Sequence, residues 1–272
     1  HLPHNLAGIA AVRSHKPDVP QVATFDTAFH KALSPVARMT GLPPRLEVCG
    51  LRRYGFHGLS YEYVLRDLRG RHGSRTDDER IIVAHLGNGA SMAAIRGGHS
   101  VDTTMGFSTL AGLPMGTRSG DLDPGLILYL QAQRAMTVTE VFHLLYEGCG
   151  LLGLSGSSRN MQDLLQAPED GSAARAIEYF CYHARRQLAG LTAALEGLDR
   201  LVFTGGIGAN APEIRARICE PLGYLGIELD PALNNSNERA ISARTSRVHI
   251  EAFQTDEELV MADHVRDTIL PL

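Results

Sequence analysis

RIIVAHLGNGASMAAIRGGHSVDTT, residues 80–104, is an apolar run that breaks at Gly-Asn-Gly, resumes, and breaks again at Gly-Gly. IIVAHL and SMAAI read as two short strands with Asn88 at the tip between them. A glycine turn behind a buried strand lets the backbone approach a ligand and aim N–H groups at phosphate oxygens, because no Cβ stands in the way. Asn88 adds a neutral amide able to bond an oxygen without changing the local charge. The alternative is a plain type I′ hairpin, for which Asn-Gly is the favoured pair.

Working outward, QVATFDTAFH (21–30) predicts a strand ending at Asp26, and SYEYVLRDLRGRH (60–72) has the apolar spacing of a helix. DPGLILYLQAQRA (123–135) sets Pro124 in a first helical turn behind Asp123, and TVTEVFHLLYEG (137–148) opens as a Thr-x-x-Glu box. SAARAIEYFCYHARRQLAGLTAALEG (172–197) is the longest periodic segment, followed by RLVFTGGIGAN (200–210), a buried strand running into a second glycine turn. APEIRARICEPLG predicts a helix, SRVHIEAF (246–253) a strand and TDEELVMADHVRDTIL (255–270) a capped helix. Strands mixed with helices give the α/β class. There is no low-complexity linker, and the only repetition is a loose echo between the glycine turns at 87–89 and 205–208.

The chain has 272 residues, 44% of them hydrophobic, enough to bury a real core. A formal charge of -4, with no basic run, gives no bulk attraction to nucleic acid or an anionic membrane, so neither is expected as a partner. Cys49, Cys149, Cys181 and Cys219 are spaced for neither a disulfide framework nor a zinc site. With no long apolar span and no basic-then-apolar leader pattern, a cytoplasmic protein is expected. Residue 1 is His, as though the chain began in mid-sequence.

Neither glycine turn has the spacing of a Walker or Rossmann fingerprint. What supports phosphate chemistry is the company they keep. RRYGFHG sets His57 between an aromatic residue and a glycine, and LPMGTRSGDLDP sets Arg118 in a glycine-flanked loop. A guanidinium there offers a permanent fork of donors matched to phosphate oxygens, unless it is spent on Asp121 or Asp123 nearby. His57 has the ordinary alternative of a satisfied core or surface histidine. Asp26, Glu257 and Glu258 are candidate ligands for Mg²⁺, a hard cation that needs one or two carboxylates beside phosphate; otherwise they are helix-cap and first-turn residues.

The motifs HLPHN, FDTAFH, RRYGFHG, HLGNGASMAAI, SVDTTMGFSTLAGLPMGTRSGDLDP, GLLGLSG, VFTGGIGAN and TDEEL together resemble the acetate kinase and propionate kinase family and span nearly the whole sequence. The resemblance implies duplicated ribonuclease H-like domains of the actin, sugar-kinase and Hsp70 type, with mixed sheets flanked by helices. The activity implied is reversible, direct in-line transfer of the ATP γ-phosphate to a short-chain carboxylate, acetate or propionate, giving an acyl phosphate. The implied cofactors and partners are Mg²⁺, ATP/ADP, the carboxylate or acyl phosphate, and a second copy in a homodimer to which the helix at 172–197 contributes.

By the same resemblance, Asp26, His57 and Arg118 are catalytic, and His4 and Phe56 meet the substrate. His85, Leu86, Gly87, Asn88 and Gly89, Asn160, Met161 and Gln162, and Gly206, Ile207, Gly208, Ala209 and Asn210 contact the nucleotide, and Glu257 meets the metal. Residues 1–27 and 257–272 would be the remnant of an N-terminal domain, and 28–256 the nucleotide-binding and dimerisation domain. The sequence departs from the family pattern by lacking the upstream strand and phosphate turn. It also departs at Asn160 in place of Asp, Gln162 in place of Arg, Ala209 in place of Glu and Thr109 in place of a pocket Pro. A catalytically impaired nucleotide-binding fragment is therefore the second expectation, and a metal hydrolase using His1, His4, His30 and His57 a third.

Overall fold

The computed structural model describes residues 2–167 and 169–269. Helix α1 (Leu2–His15), a 3-10 turn (Ala28–Ala32) and the short helices α2 (Pro35–Arg38) and α3 (Pro44–Glu47) precede α4 (Gly58–His72) and α5 (Arg75–Asp78). Strands β1 (Ile81–Leu86), β2 (Ala90–Arg96) and β3 (His99–Thr103) follow. Next come α6 (Pro124–Gln133), α7 (Val138–Glu147), α8 (Gly150–Ser155), α9 (Met161–Leu165) and α10 (Gly171–Leu195). The chain continues through β4 (Arg200–Thr204), α11 (Gly205–Asn210), α12 (Pro212–Cys219), α13 (Pro231–Asn235), β5 (His249–Ala252) and α14 (Glu257–Ile269).

The five strands form one mixed sheet in the order β3-β2-β1-β4-β5, with β1–β2 and β2–β3 antiparallel and β1–β4 and β4–β5 parallel. Period-two alternation sorts the side chains onto two covered faces. Ile82, Ala84, Leu86, Met92 and Phe203 pack with Phe180, Ala184 and Leu188 of α10, while Ile81, Val83, Ala93, Ile95 and Val202 pack with Tyr61, Val64 and Leu68 of α4. Both faces are dry, which is why these strands read as near-continuous apolar runs rather than alternating ones.

Local signals are realised at several termini. Thr137 and Glu140 form the expected reciprocal capping box on α7, Asp123 caps α6 behind Pro124, and Asp256 accepts from the Leu259 N–H at the start of α14. The expected strand at 21–30 is absent: its residues form an extended lead and a 3-10 turn, with Phe25 64% exposed. Among the described residues no neighbouring strand lies beside it to form a ladder, and a strand without a ladder partner does not persist. The expected strand at 246–253 contracts to β5, and the second glycine turn winds directly into α11. The helix expected at 255–270 runs from Glu257 to Ile269, with Leu270 outside the described residues. It packs on α4, where Asp263 pairs with Arg66 and His264 Nε2 lies 2.7 Å from Glu62.

Candidate active site

The parallel strands β1 and β4 end together, at Leu86 and Thr204, and the site is built on that edge. The tip beyond β1 is three residues long, because Leu86 pairs with Ala90 across Gly87, Asn88 and Gly89. None of the three has a positive φ, so the type I′ alternative is excluded. That turn occurs instead one hairpin later, at Gly97 and Gly98, with φ 61° and 73° between the paired Arg96 and His99. The glycines at 87 and 89 serve close approach. A Cβ on Gly89 would stand 3.3 Å from His57 Nε2 and 3.7 Å from Arg118 Nη1, and one on Gly87 3.7 Å from His85 Nε2 and 3.9 Å from the Gly206 nitrogen.

Asp26 fixes how His57 arrives. Its carboxylate accepts from the His57 N–H at 2.6 Å and the Leu59 N–H at 3.2 Å, and its carbonyl accepts from Gly58 at 3.0 Å. These bonds close the N-terminus of α4 and hold His57 in the left-handed region at φ 57°, a conformation costing a non-glycine residue about 1–2 kcal/mol. His57 Nδ1 lies 2.8 Å from Ser91 Oγ, and its ring stacks on His85, whose Nδ1 lies 2.8 Å from Ser60 Oγ. His85 and Ser91 face each other across β1 and β2 on the side covered by α4. Burial above all, then Arg118 and His30, pushes the His57 imidazole down to about 4; burial and then His57 push His85 to about 3. Both rings are neutral at neutral pH.

Among the described residues Arg118 is not spent on a carboxylate. Asp121 accepts from Gly112 and Gln187, Asp123 accepts from Gly125, and Arg118 Nη1 meets the Thr109 carbonyl at 3.0 Å and the Met115 sulfur at 3.4 Å. Its charge therefore faces the glycine tip uncompensated. The tip is tied to the arginine loop by Gly116 N–H donating to the Asn88 carbonyl at 3.1 Å.

Beside this cluster opens a cavity of about 850 Å³, lined by Gly87, Asn88, Asn160, Met161, Gln162, Gly206, Ile207 and Asn210 among others. Leu86 is a core side chain and does not line it; Gly89, His85, Gly208 and Ala209 stand behind or beside it rather than on its wall. Met161 is 2% exposed, so it offers the cavity little surface. Asn160 is the cap of α9: its Oδ1 accepts from Gln162 N–H and its amide donates to Asp163. His4 is exposed on α1, with no hydrogen bond to the site among the described residues. Phe56 is half-buried against the core, and its carbonyl accepts from His30 Nε2 at 3.0 Å.

Two contributors were not legible in the sequence. Arg159 lines the cavity with no ion-pair partner among the described residues. Arg215, fully buried, donates to the Gly208, Ala209 and Asn234 carbonyls and to the Asn234 and Asn237 side chains, locking the end of α11 behind the cavity. An arginine on an ordinary helix carries no mark of that task.

Asp26 and Glu257 approach one another at the same edge. Burial first and the Asp26 charge second raise the Glu257 carboxyl above its ordinary value, the direction expected for a carboxyl beside a like charge. Two oxygen donors of this kind suit Mg²⁺ held partly by phosphate, and no cluster of three or more His, Cys, Asp or Glu side chains forms a metal cage among the described residues. The hydrolase set is not assembled: both nitrogens of His30 are bonded, to Ser100 and Phe56, and His1 lies outside the described residues.

With this geometry in hand, comparison with known proteins is direct. The Acetokinase family model matches residues 1–263. The chain is 52% identical over 267 residues to an acetate kinase of Rhodopseudomonas palustris (strain ATCC BAA-98 / CGA009), covering 97% of this chain and 67% of that protein. It superposes on the crystal structure of Porphyromonas gingivalis acetate kinase with a TM-score of 0.93 at 35% identity, covering 99% of this chain and 69% of that one. On a propionate kinase from Francisella tularensis subsp. tularensis SCHU S4 the TM-score is 0.91 at 38% identity, with 96% and 68% covered. The chain spans about two thirds of the length of the curated relatives it matches. A match running through the tip, the arginine loop and the GGIGAN turn alike makes the chain a member of the acetokinase family.

Proposed function

We propose that the chain carries the nucleotide-binding and phosphoryl-stabilising part of a kinase that moves the ATP γ-phosphate to acetate or propionate. The observation that carries this reading is the convergence of an uncompensated guanidinium, a neutral imidazole and a glycine tip on one space beside the cavity. In a loose phosphoryl-transfer transition state negative charge spreads over the equatorial oxygens, so fixed donors and alignment do most of the work. Arg118 and His57 Nε2 face those oxygens, while Gly87, Asn88 and Gly206 hold the polyphosphate. A carboxylate substrate is already nucleophilic near neutral pH, so Asp26 serves alignment, through its grip on α4, rather than proton removal. Asp26 and Glu257 would hold Mg²⁺, which neutralises phosphate charge when bound. Trapping acyl phosphate with hydroxylamine after adding ATP, Mg²⁺ and acetate or propionate to the complete gene product tests the reading; no hydroxamate with either acid would overturn it.

A second reading, a nucleotide-binding fragment with impaired chemistry, is favoured by one observation. The Asn160 side chain is consumed by the α9 cap, and its neighbour Gln162 brings no charge to the cavity. We assign residues 1–27 and 257–272 to one domain and 28–256 to the other. A homodimer is supported by Leu128, Val138, Phe142 and Tyr182, exposed on α6, α7 and α10, and light scattering at micromolar concentration checks it. No described helix is long and apolar enough to cross a membrane, in keeping with a cytoplasmic enzyme.

A further inference from the structure

Three histidines near the site each set Nδ1 2.8 Å from a serine hydroxyl: His30 on Ser100, His57 on Ser91 and His85 on Ser60. For His57 the direction of the hydrogen bonds is fixed by a further residue. Ser91 Oγ also meets the phenol of Tyr61, which is 0% exposed between α4 and β2. Burial raises the Tyr61 phenol, so it keeps its hydrogen, and Ser91 is its one partner among the described residues. A buried hydroxyl needs an acceptor for that hydrogen. Tyr61 therefore donates to Ser91, the Ser91 hydrogen is left for His57 Nδ1, and the ring proton sits on Nε2. That is the atom 3.3 Å from where a Gly89 Cβ would be, facing the same space as Arg118 Nη1.

We propose that Tyr61 and Ser91 are positioning residues that lock His57 as the neutral Nε2–H tautomer, so that beside Arg118 it donates a hydrogen bond to a phosphoryl oxygen instead of taking up a proton. The role toward phosphate rests on the phosphotransferase reading; the lock itself does not. A neutral donor adds a hydrogen bond without placing a second cation against the guanidinium. With Ser91 removed, Nδ1 loses its donor and the ring is free to turn over or exchange tautomers. With Tyr61 changed to Phe, the Ser91 hydroxyl is free to accept instead, admitting the Nδ1–H form.

The test is long-range ¹H–¹⁵N correlation NMR of ¹⁵N-histidine-labelled complete gene product without nucleotide, with His57 assigned through His57→Gln. The expected result is a single His57 pattern with Nδ1 unprotonated and Nε2 protonated, replaced by mixed tautomers in Ser91→Ala and Tyr61→Phe and restored in Ser91→Thr. In the acyl phosphate assay Ser91→Ala should lower kcat about 10-fold while leaving the nucleotide KM within about twofold, and Ser91→Thr should recover it. Should Ser91→Ala fail to fold, Tyr61→Phe supplies both readouts. A protonated Nδ1 in the unsubstituted protein, or a pattern unchanged in these variants, overturns the proposal. Because the NMR measurement needs no substrate, a correct tautomer with no hydroxamate formed would sink the kinase reading and leave the lock standing.

Discussion

The imidazoles of His57 and His85 stack with ring centroids 4.3 Å apart and planes 19° from parallel, held from behind by Ser91 and Ser60. Two half-buried rings in contact, with Arg118 alongside, cannot both become cations cheaply. Their values of about 4 and about 3 lie below the ordinary 6.5, so between those limits the unfolded chain binds protons that the folded chain refuses. Their contribution to stability is thus complete above pH 6.5 and is lost as pH falls toward 4 and 3. Urea midpoints taken across that range should decline with acid. His57→Gln should flatten the decline by up to one proton equivalent, about 1.4 kcal/mol per pH unit. An unchanged slope in His57→Gln would contradict this account.

Arg118 should matter to chemistry far more than to folding, since among the described residues its donors meet one carbonyl and a thioether. Arg118→Gln is expected to lower kcat of the complete gene product about 100- to 1,000-fold, with a melting temperature close to that of the parent. Equal losses in stability and turnover would point to a structural arginine.

Gly89→Ala asks whether the tip needs glycine for space rather than for conformation. Its φ is not in the left-handed region, so the backbone accepts alanine, but the new methyl must share the gap between His57 and Arg118. Turnover should fall about 10- to 100-fold with little change in melting temperature. Full activity in this variant would place the transferred group elsewhere.

How much of this was legible in the sequence divides along a physical line. Strands β1, β2 and β4, α4 and the capped helices α6, α7 and α14 follow from apolar period and terminal side chains, which act locally. The lead through Asp26 misread as a strand because β-branched residues record preference and not whether a ladder partner exists. Of the site residues, the glycine tip, His57 and Arg118 converge as their company implied. Leu86 is core, His4 stays on an exposed helix, and the Asn160 side chain is taken by its own helix. Arg215 and Arg159 went unseen, because what matters about them is which carbonyls or cavity they meet across the chain, and spacing carries no trace of that.

Glu257→Gln removes one of two carboxylates that repel across the site edge. Because the Glu257 carboxyl is raised on folding, its ionised form opposes folding at neutral pH, and the substitution should raise the melting temperature slightly. The same change should weaken the Mg²⁺ dependence of nucleotide binding in titration calorimetry. A lowered melting temperature with unaltered Mg²⁺ dependence would remove Glu257 from the cation site.

The central claim is that one triphosphate runs from the cavity past the Gly87–Gly89 tip to His57 and Arg118. A crystal structure of the complete gene product with Mg²⁺ and a non-hydrolysable ATP analogue measures this most directly. The expected density has the base between Gln162 and Ile207, the inner phosphates at Gly87 and Gly206, and the terminal phosphate within hydrogen-bonding reach of Arg118 and His57 Nε2. A terminal phosphate pointing away from both side chains, or a nucleotide seated outside the cavity, would contradict it.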